Sequence, residues 1–135
     1  MIQKPMLTQE DVEKIGAAAE AEAAKNGFKV SIAICDDGGH LLWFKRLDGA
    51  PAISSYIAPQ KARTAALGRR ESKVYEELIN NGRVSFLSAP ELSGMLEGGV
   101  PIVVDGHCIG AVGVSNVKSF EDAQVAKAGI AALGI

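Results

Sequence analysis

The stretch "VVDGH", residues 103–107, constrains this chain more than any other. Asp105-Gly106 stands between two apolar runs, and Asp-Gly supplies the left-handed residues that a two-residue hairpin turn demands. A second ribbon precedes it. Phe28, Val30, Ile32 and Ile34 alternate with Lys29, Ser31, Ala33 and Cys35, which predicts a strand covered on both faces because the off-face residues are small. "DDGG" at 36–39 turns the chain and "HLLWFKRL" at 40–47 brings it back. Hairpins enforce antiparallel pairing, so a doubly wound parallel sheet is excluded.

Helices account for most of the remainder. Thr8 followed by Glu10 and Asp11 reads as a helix start, Val12, Ile15, Ala19 and Ala23 recur at helical spacing, and Asn26-Gly27 ends the run. Ser54 or Ser55 can cap a helix that reaches Gly68, and Pro59 places its start near Ser55 to Ala58. "SKVYEELINNG" predicts a helix over Ser72–Asn80, followed by a short strand near Val84 to Leu87. Ser119 and Asp122 form a capping-box pattern that opens a last helix, with Val125, Ala128 and Ala132 inward. Gly110 and Gly113 leave room for something to lie close on the sheet. The chain is therefore read as one α+β layered domain over 1–135, an antiparallel sheet built from two hairpins with flanking helices.

Composition narrows the function. With 47% apolar and 22% charged residues among 135, the chain buries an ordinary core. A net charge of -2 argues against a nucleic-acid surface, and no apolar run suggests a signal peptide or a membrane span, so a cytoplasmic protein is expected. Cys35 and Cys108 lie inside strand-like runs without metal-ligand spacing, and no metal site is expected.

The chemistry-bearing residues concentrate in "RLDGAPAISSYIAPQKART", residues 46–64. Arg46 has two readings, a turn-fixing partner of Asp48 or a planar fork for a carboxylate. Lys61 shares the helical phase of Ile57, Ala58 and Ala65 and is expected to face inward, toward a site, whereas Arg63 is expected at the surface. A capping Ser54 or Ser55 would leave amides pointing at an anion. His40 and His107 each follow a turn, and Leu41, Leu42, Trp43 and Phe44 give His40 an apolar neighbourhood. Met95, Cys35 and Cys108 are further possible iron ligands, and the absence of Cys-x-x-Cys-His excludes covalent haem.

"VSIAICDDGGHLLWFKRLDGA", Ser55, "KARTAA", "EGGVPIVVDGHCIGAVGVS" and "EDAQVAKAGI" together resemble the GlcG/HbpS-like family, often labelled haem-degrading, over about Thr8 to Leu133. Asn116 stands where members commonly have glycine. The resemblance implies an α/β/α-like fold and a homo-oligomer. It also implies haem binding or haem sensing in some members and accessory roles in glycolate, diol or aromatic catabolism in others. The leading expectation is a homo-oligomeric small-molecule-binding protein. Its ligand would be haem or another carboxylate-bearing molecule, held by Arg46, Ser55, Lys61, Gly98 and Gly99, with His40 the axial candidate. Positions 46, 55 and 61 are expected to share one concavity. The alternative is a small catabolic enzyme or accessory protein of lyase, hydrolase or isomerase type for an organic acid or aromatic-derived metabolite, with His40, Asp48 or Glu97 moving protons. A third reading makes the charged segment a subunit interface.

Overall fold

The computed structural model describes every residue, Met1–Ile135. At its centre β1 (Ser31–Asp36), β2 (Leu41–Arg46), β3 (Gly99–Val104) and β4 (His107–Ser115) form a four-stranded antiparallel sheet in the order β2-β1-β4-β3. The two hairpins join through β1 and β4, with Ser31 opposite Ser115 and Asp36 opposite Gly110. Asp105 and Gly106 take φ of 51° and 77°, the turn that Asp-Gly predicts. β1 is buried on both faces, as its alternation of large and small residues requires.

α1 (Gln9–Asn26) and α4 (Ser119–Ala131) cover one face of the sheet, and α2 (Ser54–Gly68) covers the other. On the first face Val12, Ile15 and Ala19 of α1 and Val125 of α4 meet Ile32, Ile34, Ile102 and Val114. On the second, Ala58, Ala62, Ala65 and Ala66 meet Ala33, Cys35 and Ala111. That alanine face brings α2 close to the strands. A Cβ at Gly113 would collide with the Ala58 carbonyl oxygen, so what lies over this glycine is the helix backbone. At Gly110 it is the Leu7 side chain, with the Cys35 carbonyl of the neighbouring strand alongside. α1 begins as expected: the Thr8 hydroxyl accepts the Asp11 amide, and the Asp11 carboxylate accepts the Thr8 N–H. No helix is long and apolar enough to cross a membrane.

Four local expectations are corrected. α2 starts at Ser54 with Ile53 already helical at its entrance, so neither Ser54 nor Ser55 is a cap and Pro59 lies beyond the first turn. The chain spirals in through a tight turn, Ser54 N–H donating to Pro51 and Ser55 N–H to Ala52. Residues Val84–Ser88 form a 3-10 helix, not a strand. Their amides bond locally, Phe86 to Arg83 and Ala89 to Phe86, and the segment lies by α3 (Lys73–Asn80) and away from any sheet edge. At α4 the acid that reaches back is Glu121, which accepts the Lys118 N–H at 3.2 Å; Ser119 is already helical. That offset turns Asp122, Ala123, Val125 and Ala126 inward, leaving Ala128 half-buried and Ala132 exposed.

Gly113→Ala is expected to lower unfolding stability by at least about 1–3 kcal/mol, because the added methyl meets backbone that cannot step aside. Urea denaturation checks this: the midpoint falls while the slope is unchanged.

Candidate functional site

Lys61 turns inward as its helical phase predicts, and only 4% of it is exposed. Its ammonium donates to the Val114 carbonyl at 2.9 Å and to the Asp122 carboxylate at 3.0 Å. Asp122 belongs to α4, across the sheet, so the lysine reaches around the end of β3 and β4 to join the two helical layers. Gly98, at φ 132°, makes the passage: a Cβ there would stand 2.7 Å from the Lys61 Nζ. Gly99 is pressed against the Lys61 carbonyl, and its N–H donates to the Ser72 hydroxyl at 2.8 Å. The second Asp122 oxygen accepts the Val117 N–H at 3.1 Å. Burial pushes the Asp122 carboxyl above its ordinary value, opposed by the Lys61 charge and by hydrogen bonds from Lys61 and Val117. Lys61, Gly98 and Gly99 therefore do converge, around a sealed ion pair and not beside an open volume.

Arg46 and Ser55 do not join them. Arg46 pairs with Ser31 across the strands and so shares its face of the sheet, the one toward α2. Its Nε donates to the Ala50 carbonyl at 2.9 Å, which fastens the loop containing Gly49 at φ 90°. Asp48 is exposed and makes no ion pair with it. Ser54 is buried and ties β1 to α2, its hydroxyl meeting that of Ser31 at 2.8 Å and donating to Pro51. Neither Arg46, Ser55 nor Lys61 lines any of the four principal cavities, and none of these brings the three together. Glu97 is half-buried beside Glu76, to which its N–H donates at 3.4 Å. Trp43 wedges against Gly16 of α1. Arg63 is half-buried and binds the Glu91 carboxylate at 2.7 Å and the Gly39 carbonyl at 3.4 Å, clamping the first hairpin turn.

The opposite end of the sheet carries a more open arrangement. Asp36 accepts the Gly38 and His40 N–H groups, each at 2.9 Å, and its two oxygens meet the His40 Nδ1 at 3.1 and 3.2 Å. With Nδ1 engaged, Nε2 is free on a ring whose side chain is 76% exposed. The motif "DDGGH" contained this pair, but the sequence reading took Asp36 only as a turn residue. Close by, Pro5, Met6, Leu7, Leu42 and Ile109 line a cavity of about 260 Å³ that also touches Lys4, Asp36 and Asp37. Leu41, Leu42 and Phe44 expose apolar surface along β2, an edge strand that pairs on one side only, with β1. Cys35 is sealed in the core and burial pushes its thiol up to about 12, which removes it as a thiolate ligand. Met95 lines a separate cavity with Ile79 and Leu87.

Asn116 sits at φ 123°, and its side-chain amide donates to the Lys29 carbonyl at 2.7 Å. That bond offsets the cost of a non-glycine residue in this conformation.

An antiparallel sheet between helical layers, with an oriented imidazole at one end and a closed ion pair at the other, defines a layered α+β domain. The chain belongs to the family described as haem degrading protein HbpS-like, whose model matches residues 7–131. It is 59% identical over 112 residues to protein GlcG of Escherichia coli (strain K12), covering 83% of each chain. Among solved structures it is similar to a double mutant of Streptomyces reticuli HbpS, with a TM-score of 0.90 and 31% identity over 100% of this chain and 92% of that one. It is also similar to PduOC in complex with heme, with a TM-score of 0.84 and 26% identity over 95% of both chains.

Removing either member of the buried pair leaves the other uncompensated. Lys61→Met is expected to cost about 3–5 kcal/mol, and the apolar double variant Lys61→Met/Asp122→Leu to recover most of that. The raised Asp122 value means that the folded state holds this proton more tightly than the unfolded state. The stability so gained is full below the ordinary 3.8 and is lost as pH rises through the folded value. Unfolding free energies measured against pH are therefore expected to fall across this window in the wild type and to lose that decline in Asp122→Asn.

Proposed function

We propose that this protein binds haem non-covalently at the Asp36–His40 end of the sheet, as a cytoplasmic homo-oligomer that handles haem or its iron. The single observation that carries this reading is the imidazole held at Nδ1 by a carboxylate, with Nε2 outward. A hydrogen-bonded partner on the far nitrogen fixes ring orientation and raises ligand basicity, the usual support for a metal-binding histidine. The surroundings fit the group. Met6, Pro5, Leu42 and Ile109 offer apolar contact for a porphyrin, and Lys4, whose pairing with Asp37 is exposed and exchangeable, offers a cation for a propionate. Haem so held would supply an iron centre. His40 would hold the iron through its Nε2, Asp36 would keep the Nδ1 proton in place, and Leu42 would exclude water. The complex of PduOC with heme, on the same fold, supports the choice of ligand. The exposed apolar edge of β2 supports closure of the site by a second copy.

Arg46 and Lys61 leave the list of propionate anchors. Lys61 is already neutralised by Asp122. Arg46 stands at the far end of β2 from His40, about 20 Å away at roughly 3.3 Å per residue. The enzyme reading gains nothing from the geometry: Asp48 follows β2 and Glu97 precedes β3, on opposite edges of the sheet, with His40 at the other end of β2.

Hemin titration of the purified protein is expected to give a saturable Soret shift. His40→Ala should abolish its sharp component, and Asp36→Asn should weaken binding by roughly 10–100-fold. A linear drift, identical in wild type and His40→Ala, would overturn the assignment.

A further inference from the structure

A second cavity lies on the neighbouring side of the same sheet end, where the C-terminus of α2 meets the start of β4. It encloses about 440 Å³, against about 260 Å³ for the groove beside Asp36. Lys4, Arg69, His107 and Cys108 give it polarity and Ile2 and Val103 give it apolar wall; none of its lining residues is acidic. Lys4 is paired with Asp37, which lies outside this cavity. Arg69 and His107 make no ion pair and no side-chain hydrogen bond with any residue. The other cations on or just after α2 are all engaged: Lys61 by Asp122, Arg63 by Glu91, and Arg70 over the Tyr75 ring at 5.8 Å.

Arg69 is also where the backbone is least suited to a side chain. It ends α2 in the left-handed conformation, φ 57° and ψ 35°, the position at which helices ordinarily place glycine. A glycine stands one residue earlier, at 68, where a Cβ would collide with the Tyr75 hydroxyl. Packing thus accounts for Gly68 and leaves the arginine in the strained place. A cation here is favoured by the helix dipole. The dipole explains one base. It does not explain an acid-free cavity that brings a second, unpaired base from the β3–β4 hairpin to the same volume.

We propose that this cavity binds a small organic carboxylate. The Arg69 guanidinium presents the planar fork that a carboxylate matches, and His107 supplies a further donor. Ile2 and Val103, 83% and 47% exposed, provide contact for an apolar body, which favours an organic acid over a bare inorganic anion. Only Lys4 is common to this cavity and the groove beside Asp36.

Cys108 makes the proposal readable. Its thiol is half-buried in the cavity wall, whereas Cys35 is buried and its thiol is pushed up to about 12, so Cys108 alone should react quickly with a thiol reagent. Benzoate is expected to slow Cys108 labelling of the full chain saturably, and inorganic phosphate to do so far less. Arg69→Gly suits the left-handed backbone, so it should keep or raise the melting temperature while weakening benzoate protection roughly tenfold or more. Protection equal in Arg69→Gly and wild type, or no saturable protection by benzoate, would overturn the proposal. Equal protection by phosphate and benzoate would overturn its assignment to an organic acid. Because the readout is the Cys108 thiol and not a Soret band, a failure of hemin to bind leaves this result standing on its own.

Discussion

The interaction on which the rest of the structure depends is the ion pair that passes around the end of the sheet. Elsewhere the two helical layers touch different faces of the strands, and the other ion pair between the two sides, Lys127 of α4 with Glu71 just after α2 at 3.5 Å, is partly exposed. Lys61 and Asp122 join the layers at 3.0 Å and almost out of reach of water. Taking both charges out of water is expensive, and the cost is offset only because the remaining polar atoms are used: Val114 and Val117 complete the set. The pair's value lies less in net stability than in specifying one arrangement. α2 meets the sheet through alanines, which give little volume to lock its position, and a single buried charge that must find its partner fixes the helix along the strands. Gly98 and Gly99 are then requirements of the lysine's path.

The ends of the sheet differ in kind as a result. Toward Gly98 and Ser115 the polar groups are consumed by the fold: Ser31 by Ser54, Arg46 by the Ala50 carbonyl, Lys61 by Asp122. Toward Asp36 and His107 they point outward or into cavities, beside apolar side chains that the single chain leaves uncovered. Segregation of this sort lets ligand-facing residues vary while the opposite end holds the layers in register.

The sequence made the ribbons plain because their turn chemistry is local. Asp105-Gly106 admits few conformations, and the alternation around Ile32 and Ile34 marks both covered faces. Lys61 was also placed correctly, because helical phase reports which way a side chain points. Phase does not report what it will meet. Asp122 looked like a cap acid until the helix began one residue earlier and Glu121 took that role. Ser54 and Ser55 looked like caps because serine before a helical run usually is one. The turn through Pro51 starts the helix without them, and what holds Ser54 is Ser31, on a strand distant in sequence. The Asp36–His40 pair escaped for a different reason. Two glycines between the partners read as a turn, and nothing local says that the carboxylate folds back onto the ring. For Lys61 and Ser54 the missing information was a partner that only the assembled fold brings near; for His40 it was a fold-back within one turn.

The strand order carries a consequence for how the molecule is made. β1 lies between β2 and β4, yet β4 leaves the ribosome long after β1 and β2. Until then the first hairpin displays β1 as an unpaired edge of apolar residues, and Lys61 waits without a counter-charge because Asp122 follows later still. Closing such distant pairings requires that loop entropy be overcome before the contacts reward it. The nascent domain therefore stays adhesive and incomplete until α4 arrives, which both seals the core and silences a stranded positive charge.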